Sequence, residues 1–344
     1  MQINFLVRVS CMTYNHAPYI EDAMNGFCMQ ETTFPFVCTI IDDASTDGEP
    51  EVIKKYLQKH FDLEDKAIIR NEETDDYVMT FAQHRTNKNC YFAVYYLKYN
   101  HYSIKKSKMP YFHEWTGQVK YIAICEGDDF WIASEKLQRQ VNCLQALPDV
   151  NMCAHAYNLV SKDKTKIGEV HSSTKDGLLN SGLVIENVKM PQYATLLFRA
   201  HHYENRPDFF NYLDVGDYQL RVFFAINGGI YYINAVMSSY RRFSNMSWTS
   251  QMRTNNDKYL SHVEKMKKFA LELDEYTNKE YHQFVLRRIE HLDYLIQRRI
   301  GSLKSIVKTK YFNSLGYKHK ARLLVEIIFP VLIRELKVLY YLKK

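Results

Sequence analysis

The sequence predicts an α/β fold: a mostly parallel central sheet flanked by helices, followed by a helical C-terminal extension. Three observations carry this. Apolar runs of strand length alternate with segments of helical spacing through the first half of the chain. Three of those runs end directly in polar segments, Thr13–Asn15, Asp42–Asp47 and Glu126–Asp129, and open α/β sheets bind ligands outside the carboxyl ends of their strands. Beyond Asn256 the pattern is helical for most of the remaining chain.

The elements follow in order. Phe5–Met12 is apolar nearly throughout, as a strand buried on both faces is. After the polar break Thr13–Pro18, Tyr19–Met29 reads as a helix with Ile20, Met24 and Phe27 on one stripe. Phe36–Ile41 is a second buried strand, ending in the turn-rich Asp42–Gly48. A helix over Pro50–Lys59 and a third strand near Ala67–Ile69 complete a β-α-β-α-β alternation with right-handed crossovers. Residues 71–120 are less regular: a helix is expected around Cys90–Tyr99, and an exposed basic loop at Lys105–Lys108. The strand Tyr121–Cys125 runs into Glu126–Trp131, and a helix over Ser134–Leu147 stops at Pro148. Strands are expected at Met152–Leu159, Ala194–Arg199 and Ile230–Ile233, and a helix over Val215–Asn227; residues 162–189 give no clear pattern. The expected division is a domain over residues 1–255 and a basic extension over 256–344.

Composition narrows the function classes. The 344 residues suffice for one large α/β domain with an appendage. The 27 Tyr and 19 Phe suit sugar-binding surfaces, although packing in the core and rim accounts for most of them. The formal charge of +6 is uneven: residues 287–344 hold 14 Lys and Arg against four acids, which leaves the first 286 residues at −4. The seven Cys form no CxxC pair, as expected of buried thiols in a reducing compartment rather than a disulfide frame or zinc site. The N-terminus has no signal-peptide pattern, and no uncharged apolar stretch of about 18 residues spans a bilayer. These features point to a cytoplasmic protein.

Glu126-Gly127-Asp128-Asp129 has the strongest chemistry. Carboxylates this close repel, and they need a cation or solvent to be stable. Mg²⁺ takes one or two carboxylates with phosphate oxygens, and Gly127 would let a diphosphate approach the backbone. The competing explanation is a helix cap at Asp128 or Asp129.

Val9–His16, Ile41–Gly48 and Tyr121–Trp131 together resemble family 2 glycosyltransferases of the GT-A fold, in block order and in spacing, with the third block similar to the bacterial polysaccharide-synthesis branch. The resemblance covers roughly residues 5–250. It implies that Met12, Thr13, Tyr14 and Asn15 line a nucleotide pocket and that Asp43 bonds the base. Asp128 and Asp129 would stand at the family's Asp-x-Asp motif, on the ribose side and on a Mg²⁺ or Mn²⁺ that bridges the diphosphate. Val215–Leu220 resembles the segment of the catalytic base, which makes Asp217 the base of an inverting transfer. The implied partners are a nucleoside-diphosphate sugar, a UDP-sugar foremost, and a glycan or lipid-linked acceptor.

Two departures stand out. Relatives often read Tyr-Arg-x-His where this chain has Tyr240-Arg241-Arg242-Phe243, so a histidine that helps bind metal or diphosphate is missing and Arg241 or Arg242 is expected to supply charge. Glu126 stands where many relatives have Asp. Arg199, His201 and His202 lie where relatives place acceptor contacts. The tail from Arg322 to Lys344, basic, apolar and interrupted by Pro330, suits a helix in the interface of the membrane's inner face; packing on the domain, or on a second copy in a homo-oligomer, is the alternative. No nucleic acid is expected to bind. A rival to the enzyme reading is a non-catalytic, nucleotide-sugar-binding scaffold subunit, motivated by Gly216 and Phe243.

Overall fold

The computed structural model describes residues 3–329 except 66–67, 117–118, 189, 205, 212, 214–215, 243–251 and 253. Two compact units result. The first comprises residues 1–179, 189–206 and 224–242; the second comprises residues 180–188, 207–223 and 243–344. The helical unit therefore draws on two segments that precede the expected boundary.

The first unit is built on one sheet. Its centre is parallel: β7 (Tyr121–Ile124), β1 (Val7–Thr13), β2 (Phe36–Asp42) and β6 (Cys90–Leu97) lie side by side in that order. β1, β2 and β6 are joined in register from Val7↔Phe36 to Thr13↔Asp42, and from Phe36↔Cys90 to Asp42↔Tyr96. Helices α1 (Ile20–Cys28) and α2 (Glu49–His60) make the first crossovers. Antiparallel strands extend both flanks: β5 (Tyr77–His84) on β6, and β12 (Leu197–Arg199) between β7 and β9 (Met152–Val160). β13 (Ile230–Arg241) then runs parallel to β9 and continues eight residues beyond the expected Ile233. Val7, Val9, Phe27, Phe36, Phe92 and Ala123 share one buried core.

Two expectations are corrected. Cys90–Tyr99 is a strand over Cys90–Leu97, buried at all eight positions. Its aromatic and β-branched residues pack into both faces of the sheet, a burial that a short apolar run does not distinguish from that of a core helix. The third parallel strand is this β6. Of the segment near Ala67–Ile69, Ala67 lies outside the described residues, and Ile68 and Ile69 lead into β4 (Arg70–Glu73), which is antiparallel to β5. All seven cysteines are free thiols.

The second unit is helical, with α8 (Asn256–Tyr276), α9 (His282–Ile300) and the terminal α12 (Tyr317–Ile328). Leu323, Leu324 and Ile327 of α12 pack against Tyr294, Ile306 and Phe312. The expected interfacial tail lies outside the described residues from Pro330 onward. Among the described residues, no helix is long and apolar enough to cross a membrane.

Candidate active site

The four parallel strands end at one edge, and their loops are stitched together there. Asp43 N donates to Thr13 O at 3.0 Å, and Gly127 N to Met12 O at 3.1 Å. The chain leaves β1 and β2 through left-handed backbone at Asn15 (φ 57°) and Ala44 (φ 60°), conformations that non-glycine residues hold only when their surroundings impose them.

Glu49, the first residue of α2, imposes much of this. Its fully buried carboxylate accepts from the Thr13 hydroxyl, from His16 N at 2.9 Å and from Ser45 Oγ at 2.8 Å. Around it, Asn15 N donates to Ser45 Oγ at 2.8 Å and Thr46 N to Asn15 Oδ1 at 2.8 Å. Sequence reading missed Glu49 because it falls outside the polar turn and looks like an ordinary helix-start acid.

Asp43 is 4% exposed and holds the loop that follows β6. Oδ1 accepts from His101 N at 2.7 Å; Oδ2 accepts from Tyr102 N at 3.2 Å and from Lys108 Nζ at 2.7 Å. Lys108 is thereby drawn out of the exposed basic patch, whereas Lys105 and Lys106 remain exposed. Its neighbour Asp42 is buried, with Oδ1 bonded to Ser45 N at 3.2 Å and Oδ2 unpartnered. Burial pushes the Asp42 carboxyl up to about 7.

The acidic segment divides its labour. Asp129 is 1% exposed; its Oδ1 accepts from Arg241 N at 2.9 Å and its Oδ2 from Gln192 Nε2 at 2.6 Å. Burial, and then the Asp128 charge, push its carboxyl well above the ordinary range. The expectation that it joins Asp128 on a metal does not suit these surroundings: both oxygens are already used in framing the loop. Asp128 differs. Its side chain is 15% exposed, and its Oδ2 stands 4.0 Å from His16 Nε2. Glu126 is half-buried. Gly127 is required for packing rather than for a ligand's approach, since a Cβ there would lie 2.1 Å from Thr13 Oγ1 and 2.7 Å from Thr13 Cβ. Among the described residues, no group of three His, Cys, Asp or Glu is arranged to hold a metal ion by itself.

Arg241 is not a diphosphate ligand in waiting. It is 2% exposed and donates to Asp128 O (2.9 Å), Lys162 O (2.6 Å) and Asp22 Oδ2 (2.8 Å). It locks the acidic loop onto the segment that follows β9 and onto α1. Arg242 is half-buried, with its N bonded to Val160 O at 2.9 Å.

The expected acceptor residues fall at the wrong edge. β12 runs antiparallel to β7 with Arg199 opposite Tyr121, the start of β7 and about 16 Å along the chain from Glu126, where the acidic loop begins, at roughly 3.3 Å per residue. The Arg199 guanidinium donates to Val150 O at 3.0 Å, Leu144 O at 2.5 Å and Leu147 O at 3.3 Å. It caps the carbonyls at the end of α4 (Lys136–Ala146). His201 and His202 follow it in α6 (Ala200–Glu204), with rings 3.9 Å apart. In the second unit, Asp217 lies in the first turn of α7 (Gly216–Ile226); it accepts from Tyr218 N at 2.6 Å and pairs with Arg221 at 3.2 Å.

Residues 10–78 match the model of glycosyl transferase family 2. Uncharacterised proteins of Mycobacterium tuberculosis and Mycobacterium bovis are 27% identical over 245 residues, which is 70% of this chain and 59% of each relative; the chain thus spans less than two thirds of their length. Among solved structures, S. aureus TarS (residues 1–349) in complex with UDP-GlcNAc is similar with a TM-score of 0.56 at 14% identity, covering 90% of this chain and 80% of that one. The same TarS fragment in a further structure gives 0.52 at 13%, over 92% and 77%. At such identity the likeness is one of fold.

Proposed function

We propose that this chain, which matches glycosyl transferase family 2 over residues 10–78 and has the GT-A fold, is a member of that family and moves a sugar from a nucleoside-diphosphate sugar to a hydroxyl of a glycan or lipid-linked acceptor. The observation that carries the reading is the convergence of the loops after β1, β2, β6 and β7, tied by Glu49 and Asp43, around an Asp128 that stays open to solvent. The complex of TarS with UDP-GlcNAc makes a UDP-sugar the donor we favour.

Met12, Thr13, Tyr14 and Asn15 line the nucleotide side, and Asp43 holds the loops that frame the base. Asp128 faces the diphosphate. A Mg²⁺ or Mn²⁺ fits there, because such an ion needs only one or two protein carboxylates when phosphate oxygens complete its shell. When bound, it supplies positive charge against the leaving diphosphate. Asp217 takes the proton of the acceptor hydroxyl while that oxygen attacks the anomeric carbon from the face opposite the diphosphate. The carbon–oxygen bond to the diphosphate breaks with its electron pair, and the configuration inverts.

The test is a thermal-shift screen of nucleotide sugars with and without Mn²⁺, since a ligand that binds only the folded chain raises its Tm. One donor class is expected to raise Tm only with metal. Asp217→Asn is expected to stop transfer while leaving that shift intact, and full transfer by this variant removes the base assignment. The basic tail is assigned to anionic lipid at the membrane's inner face; vesicle flotation unchanged by deleting residues 318–344 removes that assignment.

A further inference from the structure

We propose that His16 Nε2 is a ligand of the donor-site metal, beside Asp128, in place of the histidine that this chain lacks at Phe243. The inference rests on the transfer reading above. Phe243 itself lies outside the described residues, but its side chain has no donor atom whatever its position.

The hydrogen-bond pattern fixes which nitrogen of His16 is available. Glu49 Oε1 takes the hydrogen of the Thr13 hydroxyl. That hydroxyl has only one hydrogen to give. Its contact with His16 Nδ1, at 3.2 Å, therefore has Thr13 as acceptor and Nδ1–H as donor. In the neutral ring the lone pair then belongs to Nε2, the atom that faces Asp128 Oδ2.

The separation supports the same assignment. An imidazolium N–H closing on a carboxylate does so at about 2.7–2.9 Å. Here the two atoms stand at 4.0 Å, with side chains 18% and 15% exposed. Two donors on one ion, each about 2.1 Å from it, are separated by roughly 3 Å at right angles and approach 4 Å at wider angles. Metal-bound histidines almost always donate their second N–H to an oxygen partner that fixes the ring. Thr13 is that partner, backed by the buried carboxylate of Glu49. The backbone of the residue is fixed as well, through His16 N to Glu49 Oε2 at 2.9 Å. A nitrogen in the shell shifts preference from Mg²⁺ toward Mn²⁺.

The experiment uses the full chain with Mn²⁺ and UDP, read by pulsed electron paramagnetic resonance. The expected result is a ¹⁴N coupling on the bound Mn²⁺ that disappears in His16→Gln. That variant is also expected to bind Mn²⁺ with UDP at least about tenfold more weakly and to lose less of its Mg²⁺-supported UDP binding. Bound Mn²⁺ without a ¹⁴N coupling in the unaltered chain overturns the assignment, whether or not the variant folds. A coupling that persists in a folded His16→Gln overturns it too. Neither of these results touches the transfer reading. Failure of UDP, GDP and dTDP alike to bind with either metal overturns both.

Discussion

At one edge of the parallel core, Asp42, Asp43, Glu49 and Asp129 are buried among loop amides and hydroxyls, while Asp128 stays in reach of solvent. At the other edge, Arg199 is turned onto the carbonyls that end α4, with His201 and His202 beside it. The same rule governs both edges. Backbone groups that no helix or strand satisfies claim the nearest charged side chains, and only what is left over faces a ligand. At the carboxyl ends of the strands four loops meet, so several acids are consumed, while Asp128 keeps a partly open side chain. At the amino ends a helix terminus takes Arg199.

The sharpest test sets Asp128 against its neighbour. Asp128→Asn is expected to lower turnover by roughly a hundredfold to a thousandfold, with a melting temperature close to that of the unaltered chain; a mild kinetic effect would move the site elsewhere. Asp129→Ala should do the reverse. It strands the buried Arg241 amide and the Gln192 side chain, at a cost of about 3 kcal/mol in urea unfolding, and a stability near that of the unaltered chain would contradict its framing role.

Asp42 extends the comparison to pH. Its carboxyl titrates near 7 in the folded chain against an ordinary value of 3.8. Between those values the folded state holds the extra proton, so this group's contribution to stability is fully present below about 4, falls as pH rises to about 7, and stays low above that. Asp42→Asn is expected to be more stable than the unaltered chain at pH 8 by roughly 2–4 kcal/mol, with no advantage at pH 4. Equal stability at pH 8 would show the group to be better solvated than its burial implies.

The amino edge gives the smallest effects. Arg199→Ala should cost about 1–2 kcal/mol through the α4 carbonyls and leave KM for the acceptor unchanged; a raised KM would restore the acceptor role. His201→Ala and His202→Ala are expected to shift stability by less than about 0.5 kcal/mol and to leave transfer rates alone.

Much of the sheet was legible in the chain itself. Phe5–Met12, Phe36–Ile41 and Tyr121–Cys125 are apolar, short and bounded by polar turns, and each became a parallel strand at the expected place. Cys90–Leu97 has the same character but lacks a turn signal strong enough to separate a buried strand from a buried helix, and only pairing with β2 decides it.

The sequence by itself determined that acids cluster at strand ends, because strand and turn preferences are local and the Asp42–Gly48 and Glu126–Asp129 segments announce them within a few residues. Which acid is open and which is consumed was decided by tertiary structure alone. Asp128 and Asp129 are neighbours of one residue type; the difference between them comes from Gln192 and from Arg241, 112 residues away along the chain. Arg199 was likewise placed by register, since an antiparallel β12 sends it to the far end of β7. Hydrogen bonds act over about 3 Å of space, and the partners that fill that space come from segments whose proximity no local pattern encodes.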